Sequence, residues 1–274
     1  MLKLNGKVVE LNHFPDGTLH MNIDIFSKYY NNKYNNCFSI NWKFEANEEL
    51  VALIYLVEHI RSHSLFADIV LWMDYIPNAR MDRVKNSNDV FTLKYFANII
   101  NSLNFKKVCV VDPHSSVSEA LINNICICSV EPLINFIFKR IGKDIIIYFP
   151  DASAKKKYED LFKGCKTVYG IKHREWNTGK IQGLEVITNG IDLKNKTILM
   201  FDDIISYGGS MYYGALKLKE LGINKIYAYA SHTENSILDK EKGTLIKLLE
   251  DGTVERLFTT SSLFTGKHEK ITIL

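Results

Sequence analysis

No two cysteines in this 274-residue chain stand at the C-x-x-C spacing of a zinc ribbon or a redox dithiol. The five present (Cys37, Cys109, Cys126, Cys128 and Cys165) are odd in number, and a single residue separates Cys126 from Cys128. A disulfide framework is thereby disfavoured. With Ile and Val as frequent neighbours, the expectation is buried free thiols in a reducing compartment. No apolar run reaches the roughly 20 residues that a membrane helix needs, and "MLKLNGKVVEL" lacks the pattern of a signal peptide. A cytoplasmic protein with no membrane partner is expected. Charge of one sign is also scarce: the formal net charge is +3, too small to argue for nucleic acid. No stretch is biased enough for disorder, and no strong internal repeat is visible.

What is present is the composition of a soluble globular protein, 46% hydrophobic and 24% charged, in a chain long enough for two domains of ordinary size. Short β-rich runs alternate with amphipathic helical ones. Strands are expected at 67–73, 107–111, 144–149, 167–171, 197–201 and 225–230. Helices are expected at 87–103, 115–122, 133–141, 155–162 and 210–221, by their apolar spacing. Strands separated by helices argue for α/β domains with mostly parallel sheets flanked by helices. The number of units suggests two such domains, divided near Pro132 into 1–132 and 133–257. The tail 258–274 is expected to return to the first. Tyr29 to Asn36 reads as a polar surface loop, and Lys155 to Lys157 as a solvated helix face or an anion site.

In open α/β sheets ligands bind beyond the carboxyl ends of strands. The stretch "LMFDDIISYGGSM" puts Asp202 and Asp203 directly after an apolar strand. Carboxylates there can accept hydrogen bonds from vicinal sugar hydroxyls. Ser206, Tyr207, Gly208, Gly209 and Ser210 then offer backbone N–H groups, hydroxyls and a helix N-terminus, which suit a phosphate. The plainer reading is an ordinary strand–loop–helix turn capped by Ser210.

"FDDIISYGGSM" resembles the ribose-phosphate loop shared by phosphoribosyltransferases and phosphoribosyl pyrophosphate (PRPP) synthetases. Other stretches favour the synthetases. "PNARMDR" is similar to their ATP segment, "VVDPHSSVSEAL" to the strand whose His binds magnesium, and "FPDASAKK" to their pyrophosphate loop. "HFPDGTL" is similar to the loop that a neighbouring subunit offers to adenine, and "GIKHREW" to their Lys-x-Arg. The order of these segments matches over nearly the whole chain.

The resemblance implies two similar phosphoribosyltransferase-type, Rossmann-like domains and an Mg-dependent transfer of the ATP β,γ-diphosphate to the C1 hydroxyl of a ribose 5-phosphate unit. AMP would leave. Lys172 and Arg174 would be catalytic, sharing one face of an extended segment. Phe14, Asp16, Arg80, Asp82, Arg83 and His114 would bind ATP, and His114 and Asp151 would hold Mg2+. Asp202, Asp203 and residues Ser206 to Ser210 would bind the ribose phosphate, with His232 at the ribose as well. A homo-oligomer is implied, a dimer as the unit and a hexamer as a larger form.

Departures bear on the substrate. Thr18 and Met81 replace a Glu and a Gln, which alters the adenine pocket. Ser153-Ala154 replace two glycines. Ser206-Tyr207 replace the Asp-Thr that holds the 5′-phosphate, and a phenol ring there could border a larger 5′ substituent. The acceptor is therefore ribose 5-phosphate or an extended form such as ADP-ribose, serving nucleotide synthesis or NAD salvage. The rival readings are a non-catalytic nucleotide-binding regulatory homologue and a phosphoribosyltransferase that consumes PRPP.

Overall fold

The computed structural model describes residues 1–25, 37–142, 144–174 and 181–274. The Tyr29 to Asn36 loop and the Glu175-Trp176 end of "GIKHREW" lie outside them. The chain divides into two compact units, Met1–Ser129 and Val130–Leu274.

The first unit runs β1 (Leu2–Leu4), β2 (Lys7–Val8), β3 (Asn12–His13), β4 (Leu19–His20), β5 (Cys37–Trp42), α1 (Glu48–His63), β6 (Asp68–Trp72), α2 (Thr92–Ser102), β7 (Lys107–Val111), α3 (Ser116–Leu121) and β8 (Ile125–Cys128). Its six-stranded sheet has the order β2-β1-β5-β6-β7-β8, parallel from β5 to β8, with β1 and β2 antiparallel at one edge. Helix α1 buries Ala52, Leu53, Leu56, Val57 and Ile60, the spacing that makes one apolar stripe. Helix α2 does the same with Leu93, Phe96, Ala97 and Ile100. In β5, Phe38, Ile40 and Trp42 alternate inward.

The second unit runs α4 (Glu131–Ile141), β9 (Ile146–Phe149), α5 (Ala152–Tyr158), a 3-10 turn (Glu159–Phe162), β10 (Lys166–Arg174), β11 (Ile181–Ile187), β12 (Thr197–Ile205), α6 (Gly209–Glu220), β13 (Lys225–Thr233), a second 3-10 turn (Asn235–Leu238), α7 (Leu245–Glu250), β14 (Arg256–Thr259) and β15 (Ile271–Ile273). The seven-stranded sheet has the order β11-β10-β9-β12-β13-β14-β15 and is parallel except for the β10–β11 pair. Central strands β9 and β12 are continuous apolar runs, as a sheet covered on both faces requires.

Two expectations are corrected. The tail does not return to the first unit: β15 pairs in parallel with β14, Leu257 opposite Ile271, and forms the last strand of the second sheet. Ile271 is buried there, and so completes the core of the unit it follows in sequence. The five cysteines are free thiols, but only Cys109 is buried; Cys37 is exposed and the others are half-buried. Strand β8 is at the sheet edge, which leaves Cys126 and Cys128 partly open. Among the described residues no helix is long and apolar enough to cross a membrane.

Candidate active site

In the second unit, Ile198 to Phe201 are fully buried between β9 and β13. The β9–β12 pairing ends at Met200, opposite Tyr148, while β12 and β13 stay paired as far as Ile205 and Thr233. Asp202 and Asp203 therefore lie inside β12, not after it. Their place is still open to a ligand for a physical reason: the neighbour on one side has already turned into α5. Asp151, the N-cap of α5, accepts a hydrogen bond from the Ala154 N–H at 3.0 Å. Asp151, Asp202 and Asp203 thus gather at the carboxyl ends of two adjacent strands.

Asp203 is 5% exposed. The Lys157 Nζ donates to its Oδ2 at 3.4 Å, and its own N–H donates to the Asp202 Oδ1 at 3.0 Å. Burial above all, and then the adjacent Asp203, push the Asp202 carboxyl well above its ordinary 3.8; Asp151 adds to the effect. Burial likewise raises the Tyr148 phenol, with Asp151 and Asp202 contributing. Three carboxyl groups and a phenol are thus crowded together, with Lys157 as a counter-charge to Asp203.

A stability consequence follows. Above pH 3.8 the unfolded chain releases a proton that folded Asp202 retains, so stability falls as pH rises from 3.8 through the raised folded value. Asp202→Asn removes that cost and keeps the oxygen that accepts from Asp203. Its thermal midpoint at pH 7 is expected to exceed the native one, with the gap narrowing toward pH 4. A scan of midpoint against pH for both proteins checks this; a lower midpoint at pH 7 contradicts it.

After β12 the chain turns through Ser206, Tyr207 and Gly208 into α6. Gly208, at φ +88°, is the N-cap, and Ser210 stands in the first helical turn without being the cap. Tyr207 is 38% exposed; its carbonyl accepts from the Thr244 N–H at 2.8 Å and the Thr244 hydroxyl at 2.9 Å. The Ser206 hydroxyl donates to the Glu234 Oε2 at 2.7 Å and lies 3.1 Å from the Ser236 hydroxyl, which also donates to Glu234 at 3.1 Å. Glu234, Ser236 and Thr244 escape the sequence reading. For Glu234 and Ser236 the signal is the polar run "SHTENS" where β13 ends, beside the end of β12; Thr244 has no such local signal. His232 lies within β13, opposite Ile204; it is buried, with Nδ1 2.8 Å from the Ser262 Oγ.

Lys172 and Arg174 are on β10, beyond the part paired with β9, where β10 pairs only with β11. Their side chains lie outside the described part of the structure. The register shifts between His173 and Arg174, so the regular alternation behind the expected common face is interrupted there. Of the three lysines, Lys157 reaches Asp203, and the Lys155 Nζ is 4.9 Å over the Tyr169 ring.

In the first unit, Arg83 grips Asp82 with two hydrogen bonds of 2.7 and 2.9 Å. Those bonds hold the Asp82 carboxyl below its usual range, with Ser115 and the charge of His114 contributing. The segment around Pro77 thus meets the loop after β7, where Asp112 adopts φ +42°. Arg80 is exposed and His114 half-buried. Phe14 and Asp16 form the exposed tip of the β3–β4 hairpin, where the Thr18 N–H and hydroxyl both bond Asp16 Oδ1, at 3.0 and 2.7 Å.

Among the described residues no group of three or more His, Cys, Asp or Glu is arranged to hold a metal. The donor chemistry nevertheless fits a magnesium ion that takes most of its ligands from phosphate and water. The repulsion of Asp202 by Asp203 and Asp151 is what a divalent cation relieves.

No protein-family model matches the chain. The chain is 24% identical to the ribose-phosphate pyrophosphokinase of Listeria ivanovii over 260 residues, 92% of this chain and 76% of that one. It is 26% identical to ribose-phosphate pyrophosphokinase 2 of Archaeoglobus fulgidus over 223 residues, 80% of this chain and 78% of the relative. Over most of its length the chain is thus similar to ribose-phosphate pyrophosphokinases. The fold agrees: the phosphoribosylpyrophosphate synthetase of Mycobacterium smegmatis superposes with a TM-score of 0.74 over 97% of this chain and 85% of that one, at 16% identity. In this chain the acid pair leads into a glycine-containing loop at a helix N-terminus, with Tyr207 on that loop and Glu234 bonded to Ser206.

Proposed function

We propose that this protein transfers the β,γ-diphosphate of ATP to the C1 hydroxyl of a 5-phosphorylated ribose unit. The C1 oxygen attacks the β-phosphorus, and the bond from that phosphorus to the α,β-bridging oxygen breaks. AMP leaves with the bridging oxygen, and the hydroxyl proton passes to water. The observation that carries the reading is the Asp202–Asp203 pair beside Asp151, followed by the left-handed Gly208 turn into α6.

Asp202 and Asp203 accept from the ribose hydroxyls, while the loop from Ser206 to Ser210 faces the 5′-phosphoryl group with backbone N–H groups. Arg80, Asp82 and Arg83 help seat ATP. Lys172 and Arg174 neutralise charge on the transferring group, since such reactions are catalysed mainly by positioning and electrostatics. His114 in the first unit and Asp151 in the second would each serve as a magnesium ligand, and bound magnesium would neutralise phosphate charge. The exposed Phe14–Asp16 hairpin serves a neighbouring copy's adenine, with a dimer as the unit.

The acceptor is ribose 5-phosphate or a form extended at its phosphate, such as ADP-ribose; the exposed ring of Tyr207 supports the extended form. AMP release from Mg-ATP with each acceptor separately tests the reading. Activity with at least one is expected. Release with neither overturns diphosphate transfer to these acceptors and favours a regulatory nucleotide-binding role.

A further inference from the structure

The Glu234 carboxylate has no place in the reading so far, yet it is tied to the phosphate-facing loop. It accepts from Ser206 at 2.7 Å and from Ser236 at 3.1 Å, and the two serine oxygens are themselves 3.1 Å apart. Backbone pairing fixes it there: the Glu234 N–H donates to the Ile205 carbonyl at 2.8 Å, so the carboxyl ends of β12 and β13 are locked side by side.

Resting on the proposed reaction, we infer that Glu234 is a specificity residue that selects a singly charged 5′-phosphoryl group, one bridged to a further phosphoryl group, over a dianionic phosphate monoester. Two effects act in the same direction. The Ser206 hydrogen is already donated to Glu234, so the serine turns a lone pair, not a donor, toward an incoming phosphate. The carboxylate also adds a negative charge one hydrogen bond behind that serine. A terminal phosphate monoester carries close to two charges at neutral pH, because its second pKa is about 6, whereas a phosphoryl group inside a diphosphate bridge carries one. One additional charge within about 6 Å of a carboxylate in a partly buried site corresponds to roughly ten- to hundredfold discrimination. Tyr207, 38% exposed on the same loop, offers a ring face on which the group beyond the bridge could pack. The acceptor class is therefore a ribose whose 5′-phosphate is bridged to a further group, with ADP-ribose as the probe.

The test compares kcat/KM for ribose 5-phosphate and ADP-ribose in the native protein, Glu234→Gln and Ser236→Ala. Glu234→Gln removes the charge at constant shape and is expected to shift the ratio at least tenfold toward ribose 5-phosphate, mainly through KM. Ser236→Ala loosens the contact but keeps the charge, and its ratio is expected to stay within threefold of native. An unshifted ratio in Glu234→Gln, or an equal shift in Ser236→Ala, overturns the inference and leaves Glu234 a structural partner of the loop. If the native protein releases AMP with neither acceptor, diphosphate transfer falls separately. Calorimetric titration with ribose 5-phosphate then decides on Glu234: at least tenfold tighter binding to Glu234→Gln supports the charge effect, and equal affinity overturns it.

Discussion

Lys172→Ala is expected to lower AMP release by about a hundred- to a thousandfold, the range seen when one preorganised charge-stabilising group is removed, with little loss of fold. The fold half of this expectation comes from sheet geometry. Lys172 is opposite Leu184 on the arm where β10 pairs only with β11, the edge strand, whereas the core pairing of β10 with β9 covers Lys166 to Tyr169. The activity half comes from chemistry: a phosphoryl group in transfer develops charge that water cannot screen inside a closed site, and a lysine supplies the neutralising charge without forming a covalent bond. Lys172→Arg keeps the charge but not the compact ammonium, and is expected to fall between the two. Single-turnover AMP formation with thermal melts of all three proteins checks both halves. Activity of Lys172→Ala within tenfold of native removes Lys172 from the catalytic assignment.

How much of this was legible in the sequence varies with the range of the interactions. Strand β7 occupies the expected 107–111, because five residues dominated by Val between polar turns leave few alternatives. Helices α2 and α6 were visible from apolar spacing alone. The α1 stripe and the alternation of β5 are equally plain local patterns, but fall outside the runs singled out there. The extension of β12 past Phe201 was not legible: two adjacent acids look like the end of a strand. Pairing with β13, 28 positions away, carries the strand on to Ile205. The same register brings Ser206 to Glu234 and so creates a contact that no local pattern encodes. Lys157 reaches Asp203 across 46 positions, which turns one member of an apparent surface lysine run into part of the acid cluster. The motif residues themselves were legible because each depends on its own short segment. Their hydrogen-bonding partners were not, because those depend on which strand ends lie side by side.

The two glycines of the β12–α6 loop are expected to respond in opposite ways, and this separates what the fold demands from what a ligand demands. Gly208 has φ +88°, and a Cβ placed there would stand 2.4 Å from the Leu245 Cβ and 3.0 Å from the Leu245 N. Gly208→Ala combines left-handed strain with an overlap against the start of α7, for a cost of about 2–4 kcal/mol. The midpoint of the second unit is then expected to fall by roughly 5–15 °C, and acceptor turnover falls with it because the Tyr207–Thr244 hydrogen bonds are pushed apart. Gly209 has no positive φ and open space around its missing Cβ, so neither conformation nor packing explains a glycine at the first position of α6. The proposed approach of a phosphoryl group to the backbone N–H groups of the helix N-terminus would account for it. Gly209→Ala is expected to melt within about 2 °C of native, since alanine is the better helix residue, while its acceptor KM rises at least tenfold. Melting curves with acceptor titrations of both variants decide the matter. An unstable Gly209→Ala would make that glycine a packing requirement, and an unchanged KM would move the 5′-phosphoryl group away from this helix end.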